Sequence, residues 1–199
     1  DTYGTEVKSF TYKYEGAVMD VMRGFRGFYK TEVKDNRTGV YSKKYFDVSL
    51  DSWKKGSPIL RTEDFSSLNQ LLGEADFTHE CIEYKASPNA QAKCFGNFVK
   101  TSHAKSYDFS SSLIEEKKTT HWMDSFLNPT NILIEYGNGE KDSTYNVYSD
   151  NVGNWILGRL TEANVYRFEP TSNPTTRYRQ SKFEYHATLG YLTKEIKYS

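Results

Sequence analysis

A chain of 199 residues can bury one sizeable core, so its length predicts one domain or one slice of a larger one. Its 26 Lys and Arg balance 26 Asp and Glu, which excludes a global field that would draw in nucleic acid or an acidic membrane face. Aromatics make up 16% at a mean hydropathy of −0.75, too rich for a disordered chain and well suited to strands, and no stretch approaches the ~20 apolar residues of a membrane-spanning helix.

The first distinctive stretch is "MRGFRGFYKTEVKDNRTG", residues 22–39. Arg23, Phe25, Arg26 and Phe28 could form an Arg/Gly/aromatic box for nucleic acid, but Asp20, Glu32 and Asp35 lie beside them. The expectation is therefore structural: Gly24 and Gly27 bend the chain between two strands, Phe25 and Phe28 pack inward, and the arginines stay solvated or pair with carboxylates. "YKTEV" and "VYSKKYFDV" flank the turn residues Asp35 to Gly39 and predict a hairpin.

Helical spacing occurs once, in "SSLNQLLGEA" (66–75), where Leu68, Leu71 and Leu72 share a face and Gly73 would cap; at most one short helix is expected. Cys81 and Cys94 flank "IEYKASPNAQAK". If Ser87-Pro88 centres a hairpin turn, a disulfide between them is geometrically allowed, and two buried thiols are the alternative.

Period two dominates the remainder. Val99, Thr101, His103, Lys105 and Tyr107 share one face, and "LIEEKKTTHW" (113–122) returns after three serines. "NILIEY" and "TYNVYS" flank Gly137-Asn138-Gly139, and "TTRYRQSKFEYH" faces "YLTKEIKY" across Thr188-Leu189-Gly190. The expected fold is all-β, a procession of antiparallel hairpins in a curved open sheet with polar residues and tyrosines on both faces. Residues 1–199 form one β region, within which 47–95 could be a divergent insertion. "GRLT" and "GYLT" place Thr161 and Thr193 32 positions apart, and Thr130 precedes Thr161 by 31; stacked hairpin repeats are the expectation, and two chance tetrads in a Thr- and Gly-containing β chain the alternative.

No catalytic, metal or cofactor site emerges. His79, His103, His121 and His186 lie outside any zinc motif, and "GNGEKDS" lacks the closing Gly-Lys-Ser/Thr of a phosphate loop. His103 and His121 could face each other across the 99–122 hairpin. Glu115 and Glu116 are adjacent, so they point to opposite faces of a strand and cannot share a substrate. The chain starts at Asp1 without Met or a signal peptide, as an excised piece of something longer would.

Four stretches resemble the Rhs/YD-repeat proteins, near the middle region of TcB-type subunits of insecticidal toxin complexes and Salmonella-virulence-plasmid-B-like proteins. They are residues 12–39, with a Tyr-x-Tyr strand and Gly-Phe-x-Gly-Phe; 106–139, with Tyr107-Asp108 and Asn128-Pro129-Thr130; 154–165; and 181–196. His186 replaces the Asp of the repeat, Leu127 stands where Gly is common, and 47–95 matches poorly. The resemblance implies a non-catalytic wall segment of a hollow β-shell around a toxic C-terminal cargo. Its partners would be other segments of the same polypeptide and toxin-complex subunits, in a secreted or cell-surface bacterial protein, with neither nucleic acid nor membrane insertion. The competing expectation is a secreted β-module that binds carbohydrate or a host protein through Trp53, Trp122 and Trp155, with closed sheet edges and a contiguous aromatic patch.

Overall fold

The computed structural model describes residues 8–49, 56–84, 94–151, 153, 156–171, 175–187 and 189–198. Its strands are β1 (Phe10–Asp20), β2 (Gly24–Asp35), β3 (Tyr41–Phe46), β4 (Ile59–Phe65), β5 (Leu71–Tyr84) and β6 (Cys94–Tyr107). They continue as β7 (Leu113–Met123), β8 (Pro129–Tyr136), β9 (Lys141–Asn151), β10 (Ile156–Glu169), β11 (Thr175–Tyr185) and β12 (Leu192–Tyr198). All twelve join one open sheet whose strand order is the chain order. The stretch 47–95 supplies β4, all of β5 and the first two residues of β6 to that order. Contacts divide the chain into two compact units, Asp1–Cys81 with Ser102–Glu116, and Ile82–Thr101 with Lys117–Ser199.

Four of the described turns share one construction. In each the opening residue gives its N–H to the carbonyl four positions on, and its own carbonyl accepts from the third. The openers are Ser66, Asp108, Asp124 and Tyr136. Closing such a loop needs a left-handed residue third in line, and Asn69, Ser111, Leu127 and Gly139 supply φ of 63°, 65°, 64° and 87°. Asp35 and His186 open loops one residue longer, closed by Gly39 and Gly190.

Except at Tyr136, the opener's side chain caps the loop. Asp108 Oδ1 accepts the N–H groups of Ser110 and Ser112, both at 2.8 Å, and Asp124 Oδ1 those of Phe126 and Asn128 at 2.8 and 2.9 Å. In the loop that His186 opens, its Nδ1 accepts the Leu189 N–H at 3.1 Å, so an imidazole nitrogen does what the aspartate carboxylates do in the other loops.

Residues 66–75, the one stretch with helical spacing, form a turn and the start of β5. Ser66 Oγ accepts the N–H groups of Leu68 and Gln70, and Asn69 turns left-handed, which breaks the helical path. Leu68 is 77% exposed, so the leucines make no apolar stripe, and Gly73 pairs with Asp64 within the sheet.

The Arg-Gly-Phe pair forms the tip of the β1–β2 hairpin. Asp20 Oδ1 accepts the N–H groups of Met22 and Arg23, and Arg23 also forms an ion pair with its carboxylate at 2.9 Å. Register passes from Val18↔Gly27 to Met19↔Phe25, which leaves Arg26 as the bulged residue between glycines at φ 78° and 114°. Phe28 lies 4.8 Å from the Tyr14 ring. Phe25 does not pack inward: it is 55% exposed, because its cross-strand partner Met19 sits at the same bare tip.

Among the described residues Val48 is the one buried hydrophobic side chain and Ser66 the one buried polar residue. Cross-strand pairs within the sheet therefore carry the packing that a second layer supplies in most domains.

Candidate functional site

In the first unit, regular pairing sets Lys13, Glu15, Lys30, Glu32, Tyr41, Lys43, Tyr45, Arg61, Glu63, Phe65, Glu74 and Asp76 on one face. Opposite charges meet along it: Glu15 with Lys30 and Lys13 with Glu32, both at 2.9 Å. Arg61 contacts Glu63, Glu74 and Asp76 at 2.9, 2.6 and 3.2 Å. Burial works against its charge, but these three carboxylates outweigh it and raise the guanidinium pKa. Burial, and then Glu63 accepting its O–H, push the Tyr45 phenol up. Tyr41 and Phe65 stack at 4.8 Å, with Lys43 Nζ 4.4 Å from the Phe65 ring centre. Every member answers a neighbour, so this face reads as sheet cohesion.

The second unit carries two differently built faces. On one, Tyr166 lies between Tyr145 and Tyr178, with ring centres 5.8 and 4.9 Å away. Below this row Tyr178 donates to Asn164 Oδ1 at 2.7 Å, and Asn164 and Gln180 donate to Glu162 at 2.7 and 2.9 Å. Those two amide bonds lower the Glu162 pKa, and burial raises that of Tyr178. Tyr145, Tyr166 and Tyr178 are all exposed.

The opposite face holds a groove of about 570 Å³ lined by Ile134, Asp142, Thr144, Val165, Arg167, Glu169, Arg177 and Arg179. Arg167 reaches Glu140 at 2.7 Å, Glu169 at 3.6 Å and Asp142 at 3.9 Å, and Asp142 and Glu140 raise its pKa. Arg177, its cross-strand partner, reaches only Glu169, at 3.4 Å, among the ion pairs described.

His103 Nε2 bonds Glu116 at 2.6 Å, and Glu116 also lies 3.8 Å from Lys105. The side chain that His103 bonds on β7 is thus a carboxylate, Glu116. Among the described residues no three His, Cys, Asp or Glu side chains converge to hold a metal. Cys81 is half-buried in β5; the side chain of Cys94, the turn at Ser87-Pro88, and Trp53 and Trp155 lie outside the described residues. Trp122 is 37% exposed, with Lys100 Nζ 5.5 Å from its ring centre. The arginine groove escaped sequence reasoning, although the signal was there: in "TTRYRQSK" Arg177 and Arg179 stand two apart and so share a strand face.

No family model matches the chain, and no curated protein matches it. Solved structures do. A chain of the crystal structure of TcdB2-TccC3-Cdc42 superposes with a TM-score of 0.68 at 12% identity, covering 93% of this chain. A chain of the Photorhabdus luminescens Tc holotoxin pore, with a substitution in TccC3, gives 0.69 at 12% identity over 91%. The chain thus has the fold of a segment of these toxin-complex proteins, a Tc/Rhs-like all-β architecture. It spans 14% of the length of each.

Proposed function

We propose that the chain is a non-catalytic wall segment of an Rhs/YD-repeat toxin-type protein, part of a β-shell that encloses a C-terminal toxic cargo. One observation carries this reading: twelve strands in chain order, with Val48 the one buried hydrophobic side chain among the described residues. A sheet this long with two solvated faces and one neighbour each for β1 and β12 suits a piece continued by further strands. The fold likeness to toxin-complex chains supports the same assignment by analogy. Its partners would be flanking segments of the same polypeptide and toxin-complex subunits, in a protein secreted by, or displayed on, a bacterium.

A second reading, a module that binds carbohydrate or a host surface protein, draws on the exposed row Tyr145, Tyr166 and Tyr178, although the edge strands β1 and β12 are not closed. Sedimentation velocity over a wide concentration range separates the two. Self-association that rises with concentration and survives changing all three tyrosines to Ser supports the wall. A monomer at every concentration that binds glycans through those tyrosines supports the module and sinks the wall.

A further inference from the structure

We infer that the groove of the second unit is a docking site for an extended acidic peptide whose carboxylates seat on Arg179 and Arg177 while its apolar part covers Val165 and Ile134. Charge complementarity identifies the occupant. Three arginines line the groove against two carboxylates, Asp142 and Glu169. Arg167 absorbs both of these and Glu140 besides.

Arg177 stands directly across from Arg167, a like-charge pair that costs stability unless an anion lies between them, and Glu169 alone, 3.6 and 3.4 Å away, serves both. The Arg177 side chain remains 71% exposed. Arg179 pairs across the strands with Val165 and has no carboxylate partner among the described residues. Arg179 and Arg177, two residues apart, point the same way from one strand and present a row of guanidinium donors spaced like alternate side chains of an incoming strand. Thr144 and Val165 make the floor beside Arg179, Ile134 lies on the far side of Asp142 from the arginines, and Val165 is 40% exposed. A free phosphate would satisfy the arginines but leave the apolar positions uncovered; an extended peptide lying edge-on in the groove, its acidic side chains toward the arginines and its alternate aliphatic ones toward Thr144 and Ile134, answers both features.

The inference stands apart from the wall and module readings, since it concerns one face of β8–β11 whichever of them holds. The test is fluorescence anisotropy with a fluorescein-labelled, end-blocked Glu-Leu-Glu-Val-Glu peptide, beside its Gln and Lys counterparts and with inorganic phosphate as competitor. The acidic peptide should bind more tightly than both counterparts and weaken as salt is raised. Arg179→Gln should weaken it by roughly tenfold or more, the scale of a lost charge-assisted hydrogen bond, with the unfolding midpoint unchanged.

Val165→Glu places a carboxylate opposite Arg179 and should block binding while the sheet stays folded. Equal binding of the Gln peptide, or an Arg179→Gln protein that binds like the original, overturns the proposal. Displacement of the peptide by phosphate at equal concentration overturns it as well, because the site would then be a simple anion site.

Discussion

Thr161 and Thr193 hold the same position in two hairpins. Each is the bulged residue of its strand, since register passes from Tyr148↔Leu160 to Val147↔Glu162 around the first and from Glu184↔Lys194 to Tyr185↔Leu192 around the second. Thr161 donates its hydroxyl to the Val147 carbonyl at 3.0 Å and Thr193 to that of Glu184 at 2.9 Å. Thr130, bulged between Trp122↔Asn131 and Met123↔Pro129, does the same to Trp122 at 3.1 Å. A bulge leaves one carbonyl of the facing strand without its ladder partner, and the threonine hydroxyl satisfies it.

Replacing Thr161 or Thr193 by Val keeps the shape and β-branching but removes that donor. Each variant should lose about 0.5–1.5 kcal/mol, nearer the lower end because the bonds are exposed. Urea denaturation of single and double variants checks this, and the losses should add. No change in either single variant would show the hydroxyls to be incidental.

Ser111 closes the β6–β7 turn at φ 65°, a conformation that costs a side-chain-bearing residue about 1–2 kcal/mol. Ser111→Gly should therefore raise stability by about 0.5–1 kcal/mol once the greater freedom of unfolded Gly is counted, and Ser111→Val should lower it. A reversed order of the two thermal midpoints would refute the strain argument.

Gly16 combines φ 67° with a space in which an added Cβ would lie 2.8 Å from Tyr29 Cβ. Gly16→Ala must both adopt a strained backbone and push the β1 and β2 backbones apart. A loss of about 2 kcal/mol or more in equilibrium unfolding is expected. Gly24→Ala, with nothing within 4 Å of its added Cβ, should cost less and serves as the control.

Asp20, Asp35 and Asp108 cap turns, and each has a carboxyl pKa below the usual 3.8. The Met22 N–H does most for Asp20, the Arg37 N–H for Asp35 and the Ser110 hydroxyl for Asp108. A carboxyl more acidic in the folded than in the unfolded chain stabilises fully above the unfolded pKa. That contribution is lost as pH falls below 3.8 through the folded values. The unfolding midpoint should drop over that acid range, and the triple Asp→Asn variant, whose amides still cap without titrating, should drop less steeply. Parallel pH profiles would place the acid sensitivity elsewhere.

The sequence by itself determined the strands and most of the turns, because a period of two and the Gly, Asn and Asp of hairpin loops are local properties of the chain. Asp35 to Gly39, Gly137 to Gly139 and Ser110 to Ser112 fold as turns, as their residues predict, although the last opens two residues earlier, at Asp108. The even spacing of Thr130, Thr161 and Thr193 was legible too, but its meaning was not, since a bulge exists only against a partner strand. Residues 66–75 misled for the same reason: leucine spacing cannot report that Ser66 Oγ captures two N–H groups and that β4 waits to pair with Leu71. Tertiary structure alone decided which charges meet. His103 found Glu116, Arg61 gathered three carboxylates from two strands, and Arg179 was left beside Val165 with none among the described residues, because register sets each side chain's neighbours across the sheet and register is fixed only when the strands assemble.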